Sequence, residues 1–291
     1  MAGFATPNES PQPLEARLQL GSACKKGDLQ AVLQLLDGGE IALDQERYDG
    51  CLCATADSAH PRSAGWPSNG AYSYQGYVDT ARMLLDRGAN PNCVNPYMLP
   101  YRYAPLVSAC MWAHLDLARL LIARGASVNY APKRSSAWDD LPGPGPALLE
   151  VCSTRSQSSA DKCVDLARLL LDHGADVHLT SYRNQTPLHQ ACHALALHST
   201  AWVGRKVALA RLLLEHGAGS DLYRKDRDGS TPLTPASGHP GGPDWAQHPR
   251  MKALLRKHFA ITIRKYVIGP PAEHPSRRIE HQAPLIASFL V

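Results

Sequence analysis

The 291-residue sequence is 44% hydrophobic and 19% charged, and its formal net charge is +4. This composition supports a packed core, and the positive charge is spread along the chain instead of forming the basic patch of a nucleic-acid-binding protein. No apolar run is long enough to cross a bilayer. We therefore expect neither a nucleic-acid nor a membrane partner, and a monomer in the cytoplasm, the nucleus or both.

The first 13 residues are rich in Pro, Ser, Asn and Glu and lack the apolar core of a signal peptide. We predict a disordered N-terminus over 1–13. In a reducing compartment the eight cysteines would remain thiols, and their spacing offers no CxxC pair for a structural zinc site. We predict that the protein needs no cofactor and no metal.

A phrase of consecutive leucines closed by a glycine recurs along the chain. Its five copies are Leu35 to Gly38, Leu84 to Gly88, Leu120 to Gly125, Leu169 to Gly174 and Leu212 to Gly217. The residues before each copy place apolar side chains at helical spacing. Glycine readily adopts the left-handed conformation found just beyond helix ends. Each copy therefore predicts the C-terminus of a helix.

A second phrase alternates with the first and predicts where a helix begins. It is clearest at 186–192, Thr-Pro-Leu-His-Gln-Ala-Cys, and is echoed at 105–110 and 231–234. A threonine hydroxyl caps free N–H groups, and proline is tolerated at the first helical position because that N–H has no helical partner. The predicted unit is a helix, a turn, a second helix, a glycine and a loop.

These two phrases resemble the opening and the close of the ankyrin repeat, whose period is near 33 residues. The spacing from Pro105 to Gly125 and from Gly174 to Pro187 together gives that period. The resemblance covers Leu18 to His258. It implies an all-α solenoid of about six repeats over 14–258, and a protein-interaction adaptor that binds a partner protein through its concave face and hairpin fingers.

Every unit is longer than 33 residues, and the extra length falls in two kinds of place. Between paired helices, Ser, Gly and Pro predict surface loops at 59–75, 154–162, 197–206 and 238–248. The fingers at 94–103 and 131–146 are also extended. Four cysteines occupy the small position where one repeat packs on the next, and we expect them to be buried: Cys24, Cys110, Cys152 and Cys192.

The extended fingers contain large aromatic and sulfur-bearing side chains. The candidate partner-binding residues are Tyr97, Met98, Tyr101, Tyr103 and Trp138. Such side chains bury large areas at protein interfaces. The alternative is that they fold back and cover their own repeat.

One predicted helix carries His189, Cys192, His193 and His198, and His189 and His193 have the i, i+4 spacing of some zinc sites. The resemblance implies a different role for His189, a structural hydrogen bond between neighbouring repeats. Motifs of nucleophilic, phosphate-binding and metalloprotease sites are absent from the sequence. We therefore predict no enzymatic activity.

The C-terminal segment 249–291 is similar in length and order to the SOCS box, which follows ankyrin repeats in one family of ubiquitin-ligase substrate receptors. That resemblance implies binding of Elongin B and C and of a cullin. The matching residues are Leu255, Phe259, Ile263, Pro284 and Leu285. Phe259 replaces the usual cysteine, and the Leu-Pro that opens the cullin motif is missing. The alternative is that 249–258 caps the last repeat and that 259–291 is a helical extension.

Overall fold

The computed structural model describes residues 11–38, 45–58, 74–94, 103–130, 145–153, 160–192, 200–232, 250–251 and 253–257. The chain divides into two compact units, 1–176 and 177–291. The ankyrin-repeat domain over 14–258 stays a prediction. All regular secondary structure in the described residues is helical. None of the helices in these ranges is both long and apolar enough to span a membrane.

The first unit contains eight helices within its described residues. They are α1 Pro11–Lys26, α2 Leu29–Asp37, α3 Gln45–Ser58, α4 Tyr74–Asp86, α5 Pro105–Met111, α6 Leu115–Ala123, α7 Ala147–Cys152 and α8 Ala160–Asp172. Consecutive helices pack in pairs, α1 on α2, α3 on α4, α5 on α6 and α7 on α8. The described part of this unit therefore holds four helix pairs.

The pairs stack in two rows within the first unit. The first helices α1, α3, α5 and α7 each contact the next in the row, and so do the second helices α2, α4, α6 and α8. This is the helix-pair solenoid that the repeated phrases predicted. Each pair contacts its neighbours, so stability depends on the stacking between successive pairs.

The second helices have one apolar face because leucine and alanine recur at three- and four-residue spacing. In α6, Leu117, Ala118 and Leu121 are buried, while Asp116 and Arg119 are exposed. In α8, Leu166 and Leu170 are buried in the same way. Burial of each leucine contributes about 1.5 to 3 kcal/mol.

The cysteines predicted to lie in the packing between repeats do so. Cys24, Cys110, Cys152 and Cys192 are all buried. Burial raises the pKa of the Cys110 thiol well above its usual range, with a further contribution from the Glu150 carboxylate. These four thiols therefore behave as small apolar groups.

The second unit contains α9 Pro187–Cys192, α10 Thr200–Glu215, a 3-10 helix at Ala218–Tyr223 and helical residues at 250–251 and 253–257. Helix α9 begins at Pro187, as the Thr-Pro phrase predicted. Helices α9 and α10 pack together, and both contact the 3-10 helix. Met251, Leu254 and Leu255 are buried.

Four predicted boundaries differ from the structure. Helix α1 begins at Pro11, within the segment predicted to be disordered, and both prolines of its first turn occupy positions that need no N–H donor. Helices α4 and α8 include residues assigned to loops at 74–75 and 160–162.

The largest difference is at 200–206, predicted as loop and found in α10. The reason is a tertiary contact. Lys206 is buried, and its Nζ donates to the Gln190 carbonyl at 2.9 Å.

Candidate partner-binding edge

Three finger bases of the first unit begin at a glycine that lies two residues beyond the end of α4, α6 or α8. Gly88, Gly125 and Gly174 have φ angles of 97°, 87° and 81°. The following alanine is buried at each of these places. This geometry turns the chain out of the second helix and starts the finger at an equivalent point of each repeat.

An asparagine side chain then links each finger base to the next. Asn92 Nδ2 donates to the Gly125 carbonyl at 3.0 Å, and the Ser127 N–H donates to Asn92 Oδ1 at 2.6 Å. Asn129 bonds Gly174 at 2.9 Å and Asp176 at 2.8 Å in the same way. The carboxamide suits this bridge because it is both a donor and an acceptor.

Two side chains of α3 make the corresponding bridge at the preceding repeat. Gln45 Nε2 donates to the Gly88 carbonyl at 2.7 Å, and Asp49 Oδ1 accepts from the Asn90 N–H at 2.6 Å. We call these three bridges the asparagine ladder. The ladder holds the start of successive fingers in register within the first unit.

Replacing Asn129 by alanine removes both bonds of one bridge. We expect the free energy of unfolding to fall by about 1 to 2 kcal/mol, because each lost bond contributes about 0.5 to 1.5 kcal/mol and the partners stay near water. Urea titration measures this change. Ser127→Ala is the control, because the Asn92 bridge uses only the Ser127 main chain. An Asn129→Ala chain as stable as the parent would contradict a structural role for the ladder.

The second unit carries two complete hairpin turns. In the first, the Ser181 N–H donates to the Gln185 carbonyl at 2.9 Å, and Asn184 has a positive φ of 60°. In the second, the Asp226 N–H donates to the Ser230 carbonyl at 2.8 Å, and Gly229 has a φ of 77°. We call these turns the paired fingers.

The paired fingers are bonded directly to each other. The Arg227 N–H donates to the Arg183 carbonyl at 2.9 Å, and Asn184 Nδ2 donates to the Lys225 carbonyl at 2.8 Å. Gln185 Nε2 adds a bond of 3.0 Å to Asp226 Oδ2. Side-chain and main-chain bonds together fix the relative position of the two turns.

The paired fingers bear more exposed positive than negative charge. Arg183, Lys225 and Arg227 are exposed. Asp226 is buried, and its Oδ1 accepts from the main chain of Asp228 and Ser230. Asp228 is exposed and lies 3.6 Å from Arg183. The surface of the paired fingers is therefore basic overall.

His189 lies at the base of the paired fingers and is fully buried. Its Nδ1 accepts from the Thr186 N–H at 3.1 Å. This fixes the proton on Nε2, which lies 2.9 Å from the Arg224 carbonyl and donates to it. His189 thus joins one repeat to the next, as the family resemblance implied.

Comparisons with known proteins agree with this geometry. Residues 71–96 and 101–133 match the family model described as ankyrin repeat, and 156–203 match the one described as ankyrin repeats (many copies). The chain contains ankyrin repeats. These repeats support a protein–protein interaction role.

A relative in Pongo abelii has a similar ankyrin segment. The chain is 30% identical over 117 residues to "Ankyrin repeat, SAM and basic leucine zipper domain-containing protein 1". The alignment covers 40% of this chain and 21% of that protein. The chain therefore spans about a fifth of the length of the curated relative it matches.

The aromatic finger residues of this ankyrin-repeat protein can be placed only in part. Tyr103 is half-buried immediately before α5. Tyr97, Met98, Tyr101 and Trp138 lie outside the described residues. The finger that contains the first three follows Val94, two residues after the ladder residue Asn92, so the ladder positions the start of that finger.

The predicted Elongin- and cullin-binding residues are placed only at Leu255, which is fully buried. Phe259, Ile263, Pro284 and Leu285 lie outside the described residues. Burial of Leu255 agrees with a helix that caps the last ankyrin repeat. The SOCS-box similarity stays a prediction from sequence.

In the part of the chain that the structure describes, no group of three or more His, Cys, Asp and Glu side chains could hold a metal. His193 and His198 fall outside that part. Both nitrogens of His189 already have hydrogen-bond partners. His189 is therefore a structural residue.

Proposed function

We propose that this ankyrin-repeat protein is an adaptor that binds a partner protein along its fingers. The observation that carries the proposal is the hydrogen bonding of successive fingers in each unit. Bonded finger bases present neighbouring loops in a fixed arrangement, which lowers the entropy lost when a partner is bound. Loops held by a rigid scaffold are where proteins commonly place binding residues.

Two chemically different surfaces would contribute to this binding. The finger after Val94 carries Tyr97, Met98 and Tyr101, side chains suited to a buried apolar contact. The paired fingers carry Arg183 and Arg227, which suit an acidic stretch of the partner. Such charge complementarity speeds association and selects among partners more than it raises affinity.

Affinity purification with mass spectrometry tests the proposal. We expect alanine at Tyr97, Met98 and Tyr101 to lower recovery of the main protein partner at least tenfold, because interface hot spots contribute about 2 kcal/mol or more each. Glutamate at Arg183 and Arg227 should also lower recovery of the partner. This loss should be larger at low salt than at high salt.

Arg211→Glu is the matched control, since Arg211 is an exposed arginine that belongs to α10 and not to the paired fingers. Equal recovery of the partner by the parent and by both finger variants would exclude binding along the fingers.

The same purification distinguishes the substrate-receptor alternative. A ubiquitin-ligase receptor would bring down Elongin B and C and a cullin with the parent and with the finger variants alike, because its tail binds them. We expect these proteins to be missing, since Leu255 is buried as in a capping helix. Their recovery would make the protein a receptor whose fingers select the substrate.

A further inference from the structure

Two thiols meet in the first unit, one on α3 and one at the base of the following finger. The Sγ atoms of Cys53 and Cys93 are 3.1 Å apart. Cys53 is 1% exposed and Cys93 is 6% exposed. The two residues are 40 positions apart in sequence, and no spacing motif pointed to their pairing.

The hydrogen bonds around the pair distinguish the two sulfur atoms. The Cys93 thiol donates to the Asp49 carbonyl at 3.4 Å, which leaves the Cys53 thiol to donate to the Cys93 sulfur. The hydrogen bond with the Cys93 thiol raises the pKa of Cys53 far above its usual range, and burial raises it by a smaller amount. Cys93 is the more exposed of the two residues, so we expect its sulfur to meet peroxide first.

We propose that Cys53 and Cys93 form an oxidation site at which hydrogen peroxide joins α3 to the base of the next finger by a disulfide. Cys93 loses its thiol proton and its sulfur attacks one peroxide oxygen. The O–O bond breaks, and the leaving hydroxide takes up that proton to become water, which gives a sulfenic acid. Cys53 then loses its proton and attacks the Cys93 sulfur, the S–O bond breaks, and the leaving hydroxide takes up the Cys53 proton to become the second water. Two thiols and one peroxide become one disulfide and two waters.

The geometry favours this pair because the sulfur atoms already touch. A disulfide bond is about 2.05 Å long, so the sulfur atoms approach by roughly 1 Å on bonding. Asp49 and the Asn90 N–H hold α3 and the finger base together at 2.6 Å, so the partners stay close. The bond would close a loop over residues 53–93 and stabilise the first unit by limiting its unfolded states.

The competing pair is Cys24 and Cys51. Their thiols are hydrogen-bonded, and Cys51 lies two residues before Cys53 on α3. Trypsin separates the two possibilities. Cleavage after Arg and Lys places Cys24 in peptide 18–25, Cys51 and Cys53 in peptide 48–62, and Cys93 in peptide 88–102.

The test treats the folded full chain with hydrogen peroxide, blocks remaining thiols and maps tryptic peptides without reduction. We expect a linked peptide 48–62/88–102, lighter than its two parts by two hydrogen atoms. Dithiothreitol should release it, and oxidation should raise the melting temperature of the parent chain. Cys51→Ser should leave the link unchanged, and Cys53→Ser should abolish it.

Three results would overturn the proposal. They are a link between 48–62 and 18–25, a link only between separate molecules, and sulfinic acid on Cys93 without any link. Urea-unfolded chain treated in the same way shows whether the pairing depends on the fold. Fragmentation of the linked peptide from the parent chain shows whether Cys51 or Cys53 carries the bond, so a variant that fails to fold does not affect the result.

Discussion

Replacing Leu170 by aspartate is expected to unfold the last helix pair of the first unit. Leu170 is fully buried on α8, which packs on α7 and α6. The substitution removes about 1.5 to 3 kcal/mol of apolar burial and adds the cost of an unpaired buried carboxylate. The total is comparable with the whole stability of a typical domain, about 5 to 15 kcal/mol.

Thermal melting followed by far-ultraviolet circular dichroism measures the effect. Leu18→Asp is the matched control, because the same substitution is made in α1 at a leucine that is 66% exposed. We expect Leu18→Asp to melt like the parent, and Leu170→Asp to lose the helical signal of the repeats around α8. A single full-strength transition in Leu170→Asp would contradict the stacked-repeat architecture.

Features of the fold that depend on local rules could be predicted from the sequence. A left-handed glycine follows four of the five leucine phrases, whereas Gly38 has a φ of −66°, and Pro187 begins a helix, because left-handed and first-turn positions admit few residue types. Buried small positions such as Cys110 and Cys152 followed from the repeat alignment. Each of these inferences needed only a few consecutive residues.

Features that depend on distant contacts could not be predicted. The start of α10 was misplaced because the segment from Thr200 to Lys206 looks like a loop until Lys206 bonds the Gln190 carbonyl. Asn92 gave no signal of its own, since its partners Gly125 and Ser127 belong to the next repeat. The candidate binding edge therefore depends on residues whose roles only the tertiary structure shows.

The charge of the paired fingers could be predicted only in part. Residues 224–227 look locally basic in the sequence, but nothing there indicates that Arg183 lies beside them. In the structure Asp226 is buried and used to close its own turn, while Arg183 is brought alongside by the neighbouring finger. Burial of one acid and addition of a distant arginine make the surface basic.

Replacing His189 by alanine is expected to destabilise the second unit by about 2 to 4 kcal/mol. The change leaves the Arg224 carbonyl and the Thr186 N–H without the bonds that the imidazole supplies. A buried group without a partner costs about 1 to 3 kcal/mol, and the space left by the ring adds to this loss. Urea titration of the full chain would measure the difference.

The matched control is His216→Ala. His216 is an exposed histidine of the same unit whose Nδ1 lies 2.8 Å from the Leu212 carbonyl one turn earlier. We expect this variant to differ from the parent by no more than about 0.5 kcal/mol, as is usual for surface substitutions. If His189→Ala were no less stable than His216→Ala, the hydrogen bond between repeats would not contribute to folding. A large loss of stability in His189→Ala alone would show that the arrangement of the paired fingers depends on this one buried ring. The ring bonds Thr186, which follows the first finger, and Arg224, which precedes the second.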